Sequence, residues 1–243
     1  MEFDILTIFP EAFESYLNCS ILKKAQEKNL IKIRIHNLRK WANDKHQTVD
    51  DRPYGGGAGM IFLLEPIYKA IQELKKKKKF SEKEERVILF SVKGKILNQK
   101  LVKKLSSFKR LILICPHYEG VDERVNKYLA NEEISIGPYI LTGGELPALV
   151  LIDAVCRLIP GVIKENSLKE ESFNFSAFKK NNENNNDILI YEYPQYSRPA
   201  VFYPNPKNKK IAWRVPKVLL SGNHQKIKEW REKHLKIKKY KNG

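Results

Sequence analysis

Along the amino-terminal half of the chain, apolar positions switch repeatedly between the two-residue period of strands and the 3.6-residue period of helices. Phe3 to Ile8 is a short apolar run closed by Pro10. Glu11 to Lys28 then places Phe13, Leu17, Ile21, Leu22 and Ala25 on one helical face. Ile31 to Ile35 alternates apolar and basic residues, as a half-exposed strand does. Pro66 suits the first turn of a helix carrying Ile67, Ile71 and Leu74, which runs out into Lys75 to Lys79. Arg86 to Ser91 and Arg110 to Cys115 read as buried parallel strands with a short helix, Leu97 to Leu105, between them. Glu133 to Ile136 is a third short strand, and Leu146 to Ile159 a nearly all-apolar helix. Strands alternating with helices predict an α/β layer around a mostly parallel sheet. Ligands of such sheets bind beyond the carboxyl ends of the strands, so the turns at Ser91–Gly94, Pro116–Gly120 and Gly137–Gly144 form the candidate site.

The pattern changes after Pro160-Gly161. Residues 164–192 are polar, and Lys179 to Asn186 is a low-complexity stretch without strand or helix periodicity. It predicts a linker between a first domain, residues 1–163, and a small basic helical domain, residues 193–243. There Ser221-Gly222-Asn223 precedes a helix with Ile227, Trp230 and Leu235 at core spacing.

Charge narrows the partners. Lysine and arginine number 45 against 28 acidic residues, a formal charge of +17. That excess favours a polyanion, nucleic acid first and an anionic membrane surface second. The membrane option needs an anchor, and neither end shows an anchor or signal motif, nor does any stretch approach the length of a span. A cytoplasmic, soluble protein is expected. Cys19, Cys115 and Cys156 are far apart and read as buried thiols of a reducing compartment. The five histidines lack ligand spacing, so no metal site is predicted.

Three motifs carry candidate chemistry. In Asp50-Asp51-Arg52-Pro53-Tyr54-Gly55-Gly56-Gly57-Ala58-Gly59-Met60, four glycines in five positions imply close backbone approach, but neither a Walker loop nor a dinucleotide fingerprint is matched. Asp50, Arg52 and Tyr54 beside them can hydrogen-bond a base. In Cys115 to Arg124 a strand ends in a turn holding His117 and Glu119, and a helix starts near Val121 with Asp122 and Glu123 in its first turn. In Ser135 to Pro147 an apolar segment lies between glycines and enters a helix with Thr142 as candidate cap. Its backbone could face a flat heterocycle. Within that helix Asp153 and Arg157 stand four apart, as an ion pair across one turn or as groups in use.

These stretches, with Arg157-Leu158-Ile159-Pro160-Gly161-Val162 and Val218 to His224, closely resemble the bacterial tRNA (guanine-N1)-methyltransferases of the knotted SPOUT superfamily. The likeness runs to about residue 235. It implies a deep trefoil knot built from roughly residues 87–159, an obligate homodimer, and S-adenosylmethionine as methyl donor. The methyl acceptor would be N1 of the guanosine at tRNA position 37, with the anticodon stem-loop gripped by the carboxyl-terminal domain.

By the same resemblance, the cofactor would be held by Phe90, Ser91, Pro116, His117, Tyr118, Gly120, Ile136, Gly137, Pro138, Tyr139, Ile140, Leu141, Gly143, Gly144 and Pro147. Glu171 falls at the general-base position, Arg157 at the arginine that stabilises charge on guanine O6, and Glu119 at the residue orienting it. Substrate contacts would come from Asp50, Arg52, Tyr54, Gly59, Ser172 and His224. Mg2+ is a candidate co-reactant for which the sequence offers no ligand set. The chain departs from the family's pattern at Glu171, which replaces an aspartate, at Pro116, which replaces a glycine, at Pro138, which replaces an aspartate, and at Val92, where a proline is common. A SPOUT-fold RNA-binding protein with weakened chemistry, or a SPOUT enzyme acting at another RNA site, are the alternatives.

Overall fold

The computed structural model describes residues 1–164, 167, 172 and 188–239. The chain forms two compact units, Met1–Lys164 and Glu165–Gly243.

In the first unit β1 (Glu2–Thr7) leads through a 3-10 turn, Pro10–Phe13, into α1 (Glu14–Leu17) and α2 (Ser20–Glu27). The single helix predicted over Glu11 to Lys28 is therefore broken. Ser20 adopts φ +45°, a left-handed conformation that interrupts the helical ladder, and Ile21 turns outward at 44% exposure. β2 (Lys32–Asn37), the short pair β3 (Asp50–Asp51) and β4 (Ile61–Phe62), and α3 (Leu64–Lys77) follow. Next come β5 (Glu85–Ile96), α4 (Gln99–Leu105), β6 (Arg110–Ile114), α5 (Glu123–Tyr128), β7 (Glu132–Ser135) and α6 (Glu145–Cys156).

Five strands form one wholly parallel sheet in the order β2-β1-β6-β5-β7. Alternation along each strand divides the core between its two faces. Ile88, Phe90, Leu111 and Leu113 join residues of α2, α4 and α6 on one side. Val87, Leu89, Ile112 and Ile114 meet α3 and Val125 of α5 on the other. Burial on both faces explains why these strands read as unbroken apolar runs.

β5 extends well beyond the predicted Arg86 to Ser91. It pairs with β7 at Ile88 to Phe90 and again at Lys95 and Ile96, with a register shift between. Gly94 permits this second approach: a Cβ there would lie 2.5 Å from the backbone nitrogen of Ile134. Cys115 and Cys156 are buried as predicted, whereas Cys19 is exposed beside the break between α1 and α2.

The second unit holds β8 (Ile188–Tyr191), β9 (Val201–Phe202), β10 (Trp213–Arg214), α7 (His224–Lys233) and β11 (Lys236–Lys239). The prediction of a helical domain is corrected to a mixed one. β8 pairs antiparallel with β11, and β9 with β10. β8 also lies inside the stretch read as a linker. The short apolar run Ile188-Leu189-Ile190 supplies its strand propensity, and its partner is too distant in sequence for local periodicity to reveal. α7 starts where predicted, with Asn223 Oδ1 accepting from the Lys226 amide at 3.0 Å.

Candidate functional site

At the carboxyl ends of β5, β6 and β7 the second and third motifs converge on a cleft of about 330 Å3. β5 contributes Phe90 and Ser91. The turn after β6 contributes Pro116, His117, Tyr118, Glu119 and Gly120. The loop after β7 contributes Ile136, Gly137, Tyr139, Ile140, Leu141, Gly143 and Gly144, with Pro147 from α6. Of the residues assigned to the cofactor by resemblance, Pro138 alone is absent from the lining, and it is exposed. Val92, Lys93, Glu123 and Glu133 line the cleft too.

The cleft is held by backbone rather than by long side chains. The Gly144 amide donates to the Pro116 carbonyl at 2.8 Å, and His117 and Gly143 form an isolated antiparallel bridge. A Cβ on Gly144 would sit 2.6 Å from Cys115 Cα, so no larger residue allows the two loops to touch. Tyr118 takes φ +58° in the turn, a strained conformation for a tyrosine. The glycine-rich loop buttresses this turn. The Glu119 amide donates to the Met60 carbonyl at 3.0 Å, and a Cβ on Gly59 would meet Glu119 Cγ at 2.6 Å. The Phe62 amide donates to Gly120 at 2.9 Å and the Asp122 amide returns to Phe62 at 3.0 Å.

Two polar residues here escape sequence-based prediction. Glu145, the first residue of α6, is buried and its Oε1 accepts from the Thr7 hydroxyl at 2.8 Å. The positive end of α6 favours that carboxylate. Its Oε2 lies 3.6 Å from His117 Nδ1, too long for a hydrogen bond but close enough to fix the imidazole edge in a buried setting. The Thr7–Glu145 bond spans 138 residues, which no local pattern reports. Below it, burial together with the Glu145 charge pushes the Cys115 thiol far above its ordinary range, so this sulfur is inert.

Predicted capping needs two corrections. α6 has Gly144 at its N-cap with no side-chain bond, so Thr142 does not cap it. α5 begins at Glu123, and Asp122 is its cap, accepting from the Arg124 amide at 2.9 Å.

Arg157 is not among the residues lining this cleft. α6 is 12 residues long and rises about 18 Å from the Gly144 end. Arg157 is the C-cap at the far end, near the amino terminus, whose charge reaches the neighbouring Cys156. Glu119 lines the cleft from the turn after β6. Asp153, the other predicted member of that helix face, neighbours Tyr16, and its charge pushes that phenol's pKa up.

The remaining substrate candidates are dispersed. Asp50 is half-buried in β3. Arg52 and Tyr54 line a second depression of about 510 Å3 with Tyr68 and Arg124. His224 opens α7 on an exposed surface. In the second unit the Ser172 amide donates to Glu192 Oε1 at 3.3 Å, and the Glu192 amide returns to Ser172 Oγ at 3.2 Å. Glu170 and Glu171 lie outside the described residues.

Comparison with known proteins gives this arrangement a context. The tRNA (guanine-1)-methyltransferase TrmD family matches residues 1–242. A tRNA (guanine-N(1)-)-methyltransferase of Dictyoglomus turgidum is 49% identical over 234 residues, covering 96% of this chain and 84% of the relative. One from Carboxydothermus hydrogenoformans is 50% identical, covering 96% and 82%. One from Clostridioides difficile is 45% identical over 240 residues, covering 98% and 94%. The match spans both units and every motif that builds the cleft, and the chain belongs to the tRNA (guanine-1)-methyltransferase family.

Proposed function

We propose that the protein methylates N1 of the guanosine at tRNA position 37, beside the anticodon, using S-adenosylmethionine, as a cytoplasmic homodimer. The observation that carries this proposal is the glycine-pinned cleft in a chain of this family. Its fit to the cofactor is electrostatic as well as steric. Glu119, Glu123 and Glu133 face a single lysine, Lys93, across the cleft of a protein whose net charge is +17. A negative cleft in a positive molecule selects a cationic ligand, and the sulfonium and ammonium of this cofactor are cations. Phe90, Ile140, Leu141 and Pro147 offer apolar contact to an adenine. Close backbone approaches at Gly94 and Gly144 are of the kind that SPOUT threading of residues 87–159 requires.

When bound, the cofactor supplies an electrophilic methyl group. The chain's task is to make guanine N1 a nucleophile. The Glu171 carboxylate would take the N1 proton, leaving the nitrogen lone pair free to accept the methyl group that the cofactor would give up as a neutral thioether. Arg157 donates to O6, where negative charge gathers. About 18 Å of helix separates Arg157 from its own cleft, so in this proposal it serves the cleft of a second subunit. α6 has a surface for that partner: Leu146 and Val150 are 57% and 46% exposed, one turn apart on the flank leading to Arg157. Glu119 then meets the partner subunit's arginine rather than its own. Residues 1–163 perform the chemistry, 164–192 carry the base, and 193–243 hold the anticodon stem-loop.

The test is transfer of a labelled methyl group to two tRNA transcripts, with guanosine or adenosine 3′ of the anticodon. Transfer to the first alone is the expected result. Binding of both without transfer would favour an RNA-binding protein that has lost its chemistry. Arg157→Ala should cut turnover at least a hundredfold while leaving the melting temperature nearly unchanged. In a mixed dimer with a cleft-defective chain part of the activity should return, because both defects then fall in one site and leave the other intact.

A further inference from the structure

We propose that β9 and β10 form a stacking platform for an unpaired nucleobase of the tRNA, with the loop between them supplying phosphate contacts. This inference rests on the tRNA assignment above and adds to it a surface that the assignment does not contain.

Phe202 and Trp213 are directly opposed in the antiparallel register and so project from the same face of the ribbon. Their rings touch, with centroids 5.6 Å apart, yet they are 48% and 63% exposed. Two large rings left facing water on a two-stranded ribbon forgo the burial that aromatic residues ordinarily provide. A nucleobase restores it, because every base has a π-face and stacks without regard to sequence.

The connection between the strands runs over residues 203–212, far longer than the two to five residues of ordinary hairpins. It is built rather than slack. Asn205 Oδ1 accepts from the Lys207 and Asn208 amides at 3.0 and 3.2 Å, and Asn208 Oδ1 accepts from the Lys210 amide at 3.2 Å. These turns present Lys207, Lys209 and Lys210, and none of the three takes part in a described ion pair. Lys209 stands 5.7 Å from the Tyr203 ring centroid, which holds its ammonium beside the ribbon.

Charge separates RNA from a protein partner. From Tyr193 to Lys228 the chain contains eight lysines and arginines and no aspartate or glutamate. A second copy of this surface would repel it, whereas a phosphate backbone neutralises it.

The experiment measures binding of the full-length protein to a tRNA transcript with guanosine 3′ of the anticodon, across a series of salt concentrations. Trp213→Leu should weaken binding roughly tenfold, while Trp213→Phe, which keeps a ring, should stay within about twofold of the unaltered protein. The triple change Lys207→Gln, Lys209→Gln, Lys210→Gln should lower the slope of log affinity against log salt by about 2. Circular dichroism and S-adenosylmethionine affinity should be unchanged in each, since the substitutions are exposed and lie in the second unit. Unaltered tRNA affinity in Trp213→Leu together with an unchanged salt slope in the triple variant would overturn the platform while leaving the tRNA assignment intact. A change in sedimentation mass with unaltered RNA binding would assign the rings to protein contact and overturn it as well. Failure of the unaltered protein to bind the transcript would remove both this inference and the assignment beneath it.

Discussion

The two ends of the parallel sheet treat their carboxylates in opposite ways. At the amino end, buried acids meet cations. Asp4, fully buried in β1, accepts from Arg34 Nε at 2.7 Å and Nη2 at 2.9 Å and lies 2.8 Å from His36 Nε2. Glu85 is paired with the buried Arg110, whose guanidinium also donates to the Leu74 carbonyl at 3.0 Å and lies over Phe80. At the carboxyl end, Glu119 and Glu123 face the cleft outside any described ion pair, and Glu145 is steadied by a hydroxyl and a helix terminus. One end spends its charges on cohesion. The other holds them ready for a ligand, at the edge where α/β sheets bind.

The largest effect expected from breaking this contrast comes from the glycine joining the cleft's two loops. Gly144→Ala would drive a Cβ into Cys115 Cα and into Pro116, and both obstacles are backbone or ring atoms that cannot swing away. Overpacking of this kind costs about 3 kcal/mol. Cofactor affinity should fall by two orders of magnitude or more, measured by calorimetric titration, while the ion pairs of the amino end persist. Gly57→Ala is the control within the first motif: its nearest neighbour, Pro53 Cγ, is 3.8 Å away, and the penalty there is confined to the φ of +129°.

That contrast also marks what a sequence can disclose. The five sheet strands and most of the helices facing them were legible because their apolar periods are local properties of a few residues. The cleft was legible in outline, since glycines cluster where backbones meet. What stayed hidden depends on distant pairings. Thr7, Glu145 and His117 come from three separate elements, and Glu119 packs on Gly59 through a fold rather than a motif. The break at Ser20 and the strand at Ile188–Tyr191 were hidden for related reasons, one a single left-handed residue and the other a partner near the chain's far end. Resemblance supplied Arg157 as a participant, but only the length of α6 places it about 18 Å along the helix from the Gly144 end.

A medium effect should follow from weakening the amino end. Burial alone would raise the Asp4 pKa, but hydrogen bonds from Arg34 and His36 outweigh it and hold the carboxyl at about 2. A depressed native pKa contributes stability that is complete above the unfolded value, near 4, and fades as pH falls toward 2. Asp4→Asn should therefore cost about 2–3 kcal/mol at neutral pH, because Arg34 would keep only Glu2, at 2.7 Å, as an acidic partner. The difference between variant and parent should shrink across that acid window, as urea titrations at successive pH values would show. A constant difference down to pH 2 would mean that packing, not charge, holds this end.

The smallest effect sharpens the comparison most, because it touches both ends of the argument through one hydroxyl. Thr7 closes β1, and its Oγ1 both donates to Glu145 and accepts from the Phe9 amide at 2.9 Å. Thr7→Val keeps the shape and removes both bonds, leaving a buried carboxylate oxygen without its donor. The stability cost should be about 1–2 kcal/mol, modest because the α6 terminus still favours the charge. The functional cost should be larger in proportion. Glu145 Oε2 sits beside His117 at the cleft wall, so a carboxylate free to rotate would carry that wall with it. Cofactor binding should weaken about fivefold to tenfold in Thr7→Val, whereas Lys69→Ala, which removes an exposed helical ion pair, should change neither stability nor binding measurably. Equal responses in the two variants would mean that the buried network at the carboxyl end is only packing, and that the cleft's geometry rests on its backbone alone.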